Sequence, residues 1–473
     1  MSDQALAYQP ITRLAQLIQR KELSPVTLTR FYLDRIEELE PQLNAHITIM
    51  AESALAEAKA AEEEIHRGQY RGPLHGIPMG MKDQFWTKGV NTTWGSRIYR
   101  DFIPAEDATV VRRLREAGAV LIAKHNQAEF AMGGTRVHPY GTPRNPWDPQ
   151  RIPGHSSSGS AVAVAAAMCA AALGEDTGGS GRIPAAACGI VAIRPTFGRI
   201  SRHGTMPVSW SMDSASPMSL TVEDCAIVLQ AVAGHDLLDP LSSPSLALDY
   251  RQGLHDGVRG MRAGAIKELL PPDSADQGVR QAFQESIRTL ESLGMTVGEV
   301  SVPLITLAAP IFVAICDTDA AGVQFDNIRL RPMDYDSSTR TRLMSASLVS
   351  ASIYTRAQRA RTLFRRQMED ALRKVDILLS PMSGGPPPLI EEENVYFQSK
   401  EDVIRRQFGA RSFTTPYSLA AMPAITIPCG VTANGNMPMG LQIGGGPFEE
   451  ATVLRAAAAF ESATQWHTRH PKL

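Results

Sequence analysis

Cysteine is scarce in this 473-residue chain: five residues, at positions 169, 188, 225, 316 and 429, form no Cys-x-x-Cys pair. The odd count leaves at least one thiol unpaired, which speaks against a disulfide framework and makes a reducing cytoplasm the expected compartment. Charge of one sign is lacking too. Lysine plus arginine total 47 against 49 for aspartate plus glutamate. No overall field therefore draws the chain to nucleic acid or an acidic membrane, and neither is expected as a partner. The longest run of small apolar residues, 161–173, falls short of the roughly 20 needed to span a bilayer and reads as a buried helix. The opening MSDQALAYQPITRL has no basic stretch followed by an apolar one, so export is not expected.

Several catalytic signatures are missing as well. There is no HExxH, and the eleven histidines are dispersed, with His467 and His470 the one close pair near the C-terminus. That disfavours zinc hydrolysis, and no metal or other cofactor is expected. No G-x-S-x-G elbow occurs, since residue 182 is arginine and Ser158 takes the second glycine place after Ser156. No lysine stands three residues after a serine, as β-lactamases require, and no G-x-x-x-x-G-K-[ST] cradles a nucleotide.

What is present is a chain able to bury a large core, with 43% hydrophobic and 20% charged residues. Ser24-Pro25 supplies an N-cap and a first-turn proline, and Leu28, Tyr32, Ile36 and Leu39 follow at helical spacing. Further helices are expected over 51–67, stopped by Gly68, and over 107–117, stopped by Gly118 and leading into a strand at 120–123. The pairing recurs where a helix over 277–293 precedes a strand at 295–300, and where a long helix ending near Val375 precedes one at 376–379. Helices alternating with short apolar strands predict an α/β layered architecture. No internal repeat or linker divides the chain, and 384–399, with Gly-Gly-Pro-Pro-Pro and three glutamates, reads as a long surface loop.

Three segments combine glycine, serine and lysine: GIPMGMKD (76–83), PGHSSSGS (153–160) and GEDTGGSGRIP (174–184). Taken singly, each has an ordinary structural reading: a surface lysine at a strand end, a capped helix start, a flexible turn. Together they suit one chemistry. A serine hydroxyl is a weak nucleophile until a base lies within hydrogen-bond reach, and lysine serves as that base only when neutral. Desolvation lowers a lysine pKa by up to about 3–5 units on full burial, and the apolar approach at Ile77, Met79 and Met81 suits burial of Lys82. Glycines before Ser180 leave backbone N–H groups free to converge on an oxyanion, which makes Thr177, Gly178, Gly179 and Ser180 the natural donors.

In this order the three segments resemble the amidase signature family. DTGGSGRIPAAACGIVAIRPTFGRIS (176–201) is similar to its serine- and glycine-rich signature, and Ser156 stands 24 positions before Ser180, where the family has a bridging serine. LNAHITI (43–49), GPLHGIPMGMKD (72–83), PMSLTVED (217–224), DILLSPM (376–382), AMPAITIPCG (421–430) and MPMGLQIGG (437–445) extend the likeness over almost the whole chain. The resemblance implies a single large α/β domain, with a central twisted mixed sheet covered on both faces by helices. It divides into an N-terminal helical segment (1–70), a catalytic core (71–235) and a remainder carrying variable loops (236–473). It implies Ser180 as nucleophile, Ser156 as proton relay behind a cis peptide bond, and Lys82 as base. Three positions depart from the common pattern: His155 and Ser158 replace glycines, and Gly181 stands where isoleucine is frequent and is expected to enlarge or loosen the pocket floor.

The leading functional expectation is a stand-alone amidase acting on a small acyl or aryl amide, or a related carbamate. Candidate pocket walls are 311–315 (Ile311, Phe312, Ile315), 333–335 (Met333, Tyr335) and 390–397, with His155 and Gly181 nearer the nucleophile. The alternative is the glutaminase component of a tRNA-dependent amidotransferase, working within a complex. A homodimer is plausible by family analogy alone, and a catalytically dead scaffold is the third reading.

Overall fold

The computed structural model describes residues 6–133, 138–270, 275–390, 411–435 and 437–473, with 399, 401, 408 and 409. One mixed sheet of 11 strands runs through the molecule, in the order β1-β3-β2-β4-β6-β5-β10-β11-β9-β7-β8. The strands are β1 (His46–Ile49), β2 (Pro78–Lys82), β3 (Val120–His125), β4 (Ala171–Glu175), β5 (Val191–Arg194), β6 (Ala215–Ser219), β7 (Arg262–Ile266), β8 (Thr296–Val300), β9 (Ile377–Pro381), β10 (Ala424–Val431) and β11 (Pro438–Gly444). Parallel pairs β3-β2-β4 and β9-β7-β8 flank an antiparallel centre.

Both faces of the sheet are covered. In β9, Ile377 and Leu379 join the core cluster built with the N-terminal helices, while Leu378 joins a second cluster under the helices of residues 303–372. In β10, Ile425 and Ile427 face the first cluster and Ala424 the second. The period of two sends alternate side chains to opposite faces, so a strand buried on both sides reads as continuously apolar.

Local chemistry accounts for the helix boundaries. Ser24 Oγ accepts the N–H groups of Val26 and Thr27 and opens Pro25–Leu43. Ala51–His66 and Gln277–Ser292 both stop just before glycines held at positive φ, Gly68 (+82°) and Gly294 (+91°). One expectation fails: residues 161–173 are not one helix. The helix Ser158–Ala165 is followed by Ala167, which takes a left-handed φ of +51°, and the same alanine-rich run then supplies β4. A run that is apolar at every position carries no periodicity to separate helix from strand. Pro303–Val323 is long and apolar enough to cross a membrane by length and composition. In the fold it is about half buried (56%) and packs against Ala351–Leu372 and Arg411–Ala420.

Candidate active site

The adjacent parallel strands β2 and β4 are in register through Met79 with Ala171 and Met81 with Leu173, so their carboxyl ends, Lys82 and Glu175, emerge side by side. Ligand sites of α/β sheets form at such ends. Strand β6 runs antiparallel to β4, with Ala215 opposite Glu175, which brings Asp213 to the same rim. The loop from Asp176 to Gly181 follows β4 and turns into the short helix Arg182–Cys188.

Lys82 and Ser156 are fully buried, and Nζ is hydrogen-bonded to Ser156 Oγ at 2.7 Å. Burial lowers the Lys82 pKa, against the opposing pull of the Glu175, Asp213 and Asp176 carboxylates. Ser157 ties the two serine segments together. Its N–H donates to Ser180 O (3.3 Å), while its hydroxyl donates to Glu175 O (3.0 Å) and accepts the Glu175 N–H (3.1 Å). Ser180 stays partly accessible, and among the described residues its hydroxyl makes no hydrogen bond.

The peptide bond before Ser156 is trans, which corrects the expectation of a cis bond. The chain instead reverses into the helix Ser158–Ala165 through Ser156 itself, which takes a left-handed φ of +48°, a conformation costly for a residue with a side chain.

The loop carrying Ser180 is held from below. Asp176 accepts the Arg182 Nε and Nη2 hydrogens (2.8 and 2.9 Å), the Arg182 N–H (3.2 Å) and the Gly179 N–H (2.8 Å). Arg194 also donates to the Asp176 carbonyl, and Arg182 reaches Gln442 Oε1 (2.5 Å) and Thr414 O (3.1 Å). Although burial alone would raise it, the Asp176 carboxyl lies well below the usual carboxylate range, because the Arg182 and Arg194 guanidiniums favour its charged form. Of the four expected oxyanion donors, the Gly179 N–H is therefore engaged, whereas those of Thr177, Gly178 and Ser180 have no partner among the described residues. Gly179 sits at φ +114°, and a Cβ there would come within 2.5 Å of Thr414. Thr414 in turn donates its hydroxyl to Gly178 O at 2.7 Å.

The remaining expected residues separate. Phe312 lies over the loop, its ring tip 2.4 Å from where a Gly178 Cβ would stand. Ile311, Ile315 and Tyr335 are buried in the same apolar cluster, with the Tyr335 hydroxyl donating to Gln324 (2.7 Å). Met333 is 77% exposed and forms no buried wall. Of the third candidate wall, 391–397 lies outside the described residues. Gly181 does not enlarge the floor: a Cβ there would stand 2.2 Å from Ser216 Oγ, so β6 already fills the space. Burial pushes the His155 imidazole down to about 3, and the guanidiniums of Arg411 and Arg342 push the same way. It is held neutral near Lys82 and Ser156.

Reading by motif missed Glu175 and Asp213. Glu175 Oε2 lies 3.3 Å from Lys82 Nζ, and the Thr177 hydroxyl lies between Glu175 Oε1 (2.6 Å) and Asp213 Oδ1 (2.7 Å). Burial and the nearby Glu175 charge push Asp213 up to about 7. Glu175 was visible inside the nucleophile motif itself, as a charge next to a run of buried small residues. Nothing in the sequence announces Asp213.

Residues 27–454 match the Amidase family. A glutamyl-tRNA(Gln) amidotransferase subunit from Geobacter metallireducens is 40% identical, over 97% of this chain and 98% of its own. Among solved structures, a chain from a vestigial protein complex bearing on the evolutionary origins of an s-triazine catabolic enzyme is 32% identical and superposes with a TM-score of 0.89, covering 98% of this chain and all of its own. The corresponding glutamyl-tRNA(Gln) amidotransferase subunit from Thermotoga maritima is 31% identical with a TM-score of 0.80, covering 93% and 92%. With a family match over nine tenths of its length and relatives spanning both chains end to end, this protein belongs to the Amidase family and is an amide-hydrolysing enzyme.

Proposed function

We propose that Ser180 attacks the carbonyl of an amide and forms an acyl-enzyme, with Ser156 passing the proton to Lys82. The observation that carries this reading is the buried Lys82, hydrogen-bonded at 2.7 Å to Ser156 beside a nucleophile loop with three N–H groups that have no partner among the described residues. Lys82 in its neutral form accepts the Ser156 proton as Ser156 accepts that of Ser180. The N–H groups of Thr177, Gly178 and Ser180 would receive the oxyanion, and the proton then returns through Ser156 to the leaving nitrogen. Water repeats the sequence to release the acid. Among the described residues no hydrogen bond joins Ser180 to Ser156, and catalytic hydrogen bonds are often long in unliganded sites and tighten when substrate binds.

For the substrate, the relatives support the glutamine carboxamide first, with the chain working as the glutaminase of an amidotransferase complex; the full-length 40% identity to a glutamyl-tRNA(Gln) amidotransferase component is the ground. A second reading, a stand-alone amidase for a hydrophobic acyl or aryl amide, draws on Phe312 packed against Gly178 and on the higher TM-score with the s-triazine-related chain. Hydrolysis profiling over glutamine, aliphatic amides and anilides, with and without candidate partner proteins, separates the two. In either case Ser180→Ala is expected to abolish turnover, and Lys82→Ala to reduce it sharply without unfolding the protein. Full turnover by purified Ser180→Ala would sink the mechanism, and failure of a fluorophosphonate to label Ser180 would favour an inactive scaffold.

A further inference from the structure

We propose that Glu175 is a positioning residue for Lys82, holding the amine so that its lone pair faces Ser156 and balancing the charge that Lys82 acquires when it takes the proton. The proposal rests on the Ser180–Ser156–Lys82 reading above. A neutral amine has two N–H bonds and one lone pair, and it works as a base toward Ser156 only when the lone pair points there. Its hydrogens then need an acceptor elsewhere. Among the described residues Nζ has two hydrogen-bond partners, Ser156 and Glu175, and both Lys82 and Glu175 are completely buried. Glu175 is itself fixed, by Thr177 at its far oxygen and by Ser157 at its backbone. The arrangement parallels the way a buried aspartate orients the histidine of a serine hydrolase triad.

The charges facing Lys82 support the same role. From β4 and its loop come Glu175 and Asp176, from the segment before β6 comes Asp213, and from the segment before the helix Ser158–Ala165 comes the neutral His155. Behind them stand Arg182 and Arg194. Arg182 and Arg194 face the Asp176 carboxylate, and burial with the neighbouring Glu175 raises the Asp213 pKa, which leaves Glu175 as the carboxyl group hydrogen-bonded to Lys82. When the protons of Ser180 and Ser156 each move one step, the new Lys82 ammonium faces Glu175 and the new negative charge sits on the oxyanion. Glu175 neither gains nor loses a proton, and the Lys82 proton leaves through Ser156 with the amine.

The test needs no knowledge of the natural substrate: the rate at which a fluorophosphonate labels Ser180 is followed from pH 5 to 10 in wild type, Glu175→Gln, Glu175→Asp and Lys82→Met. A carboxylate stabilises protonated Lys82, so its removal lets Lys82 lose its proton at lower pH. Glu175→Gln is expected to move the acid-side midpoint of labelling down and to slow the plateau rate on the order of a hundredfold. Glu175→Asp, which keeps the charge at a longer distance, should lie between. Should Glu175→Gln fail to fold, the Glu175→Asp profile decides alone. Wild-type rate and midpoint in the folded Glu175 variant, or a slower rate with an unmoved midpoint, overturns the proposal. Unchanged labelling of Lys82→Met overturns the relay reading beneath it instead.

Discussion

Replacing Asp176 by asparagine keeps the shape of the side chain and removes its charge. In the folded protein that charge faces Arg182 in a two-pronged ion pair and Arg194 at 3.5 Å, with all three side chains wholly excluded from solvent. Removing one partner of a buried pair strands the others, at a cost of about 3–5 kcal/mol. Against a typical stability of about 5–15 kcal/mol this is a large share. Urea unfolding followed by circular dichroism should show a lower midpoint at unchanged slope for Asp176→Asn. The triple variant Asp176→Leu/Arg182→Met/Arg194→Met, in which all three charges are replaced by apolar groups, should recover part of the loss. A pH series adds a sign. The folded carboxyl is held below its unfolded value, so its contribution is present above about pH 4 and is lost as pH falls toward the depressed folded value. Wild type should therefore lose stability between about pH 4 and pH 2 more steeply than Asp176→Asn. A single-variant loss under about 1 kcal/mol, or parallel pH curves, would refute the view that this ion pair secures the loop carrying Ser180.

Two further outcomes follow from the same geometry. Gly178→Ala drives a Cβ to within 2.4 Å of the Phe312 ring tip, so it should cost about 1–3 kcal/mol and slow Ser180 labelling; combining it with Phe312→Leu should return part of both, measured as a double-mutant cycle. Burial and the neighbouring Asp336 push Glu129 up to about 8, where it accepts the Ser96 hydroxyl (2.7 Å) and the Asp336 N–H (2.9 Å). A raised folded value means stability that falls as pH rises from about 5 to 8, so Glu129→Gln should flatten the melting temperature across that range; an unchanged slope would count against it.

Much of the fold was legible because its signals are local. The Ser24 cap, the glycine stops at 68 and 118, and the helix-to-strand alternation each depend on a few consecutive residues. Lys82 was legible as a strand end with apolar neighbours. What escaped reading depends on register. Asp213 joins Glu175 because β6 pairs antiparallel with β4, and Ser216 fills the space beside Gly181 for the same reason. The alanine-rich run was misread where composition suits helix and strand alike. The path into Ser156 was assigned by resemblance, and the structure makes the reversal with a dihedral instead.

The sheet order also governs when the site can exist. All three candidate catalytic residues lie within the first 180 positions, yet of the two strands beside β5, β6 follows closely while β10 begins only at Ala424. During synthesis one side of β5, whose four residues are all buried in the finished protein, therefore waits unpaired until more than 200 further residues have been made. The loop anchors Thr414 and Gln442 arrive equally late. A nascent chain thus carries its chemistry long before it can hold that chemistry in place, and its vulnerable interval, for aggregation and for capture by chaperones alike, is set by the far end of the polypeptide.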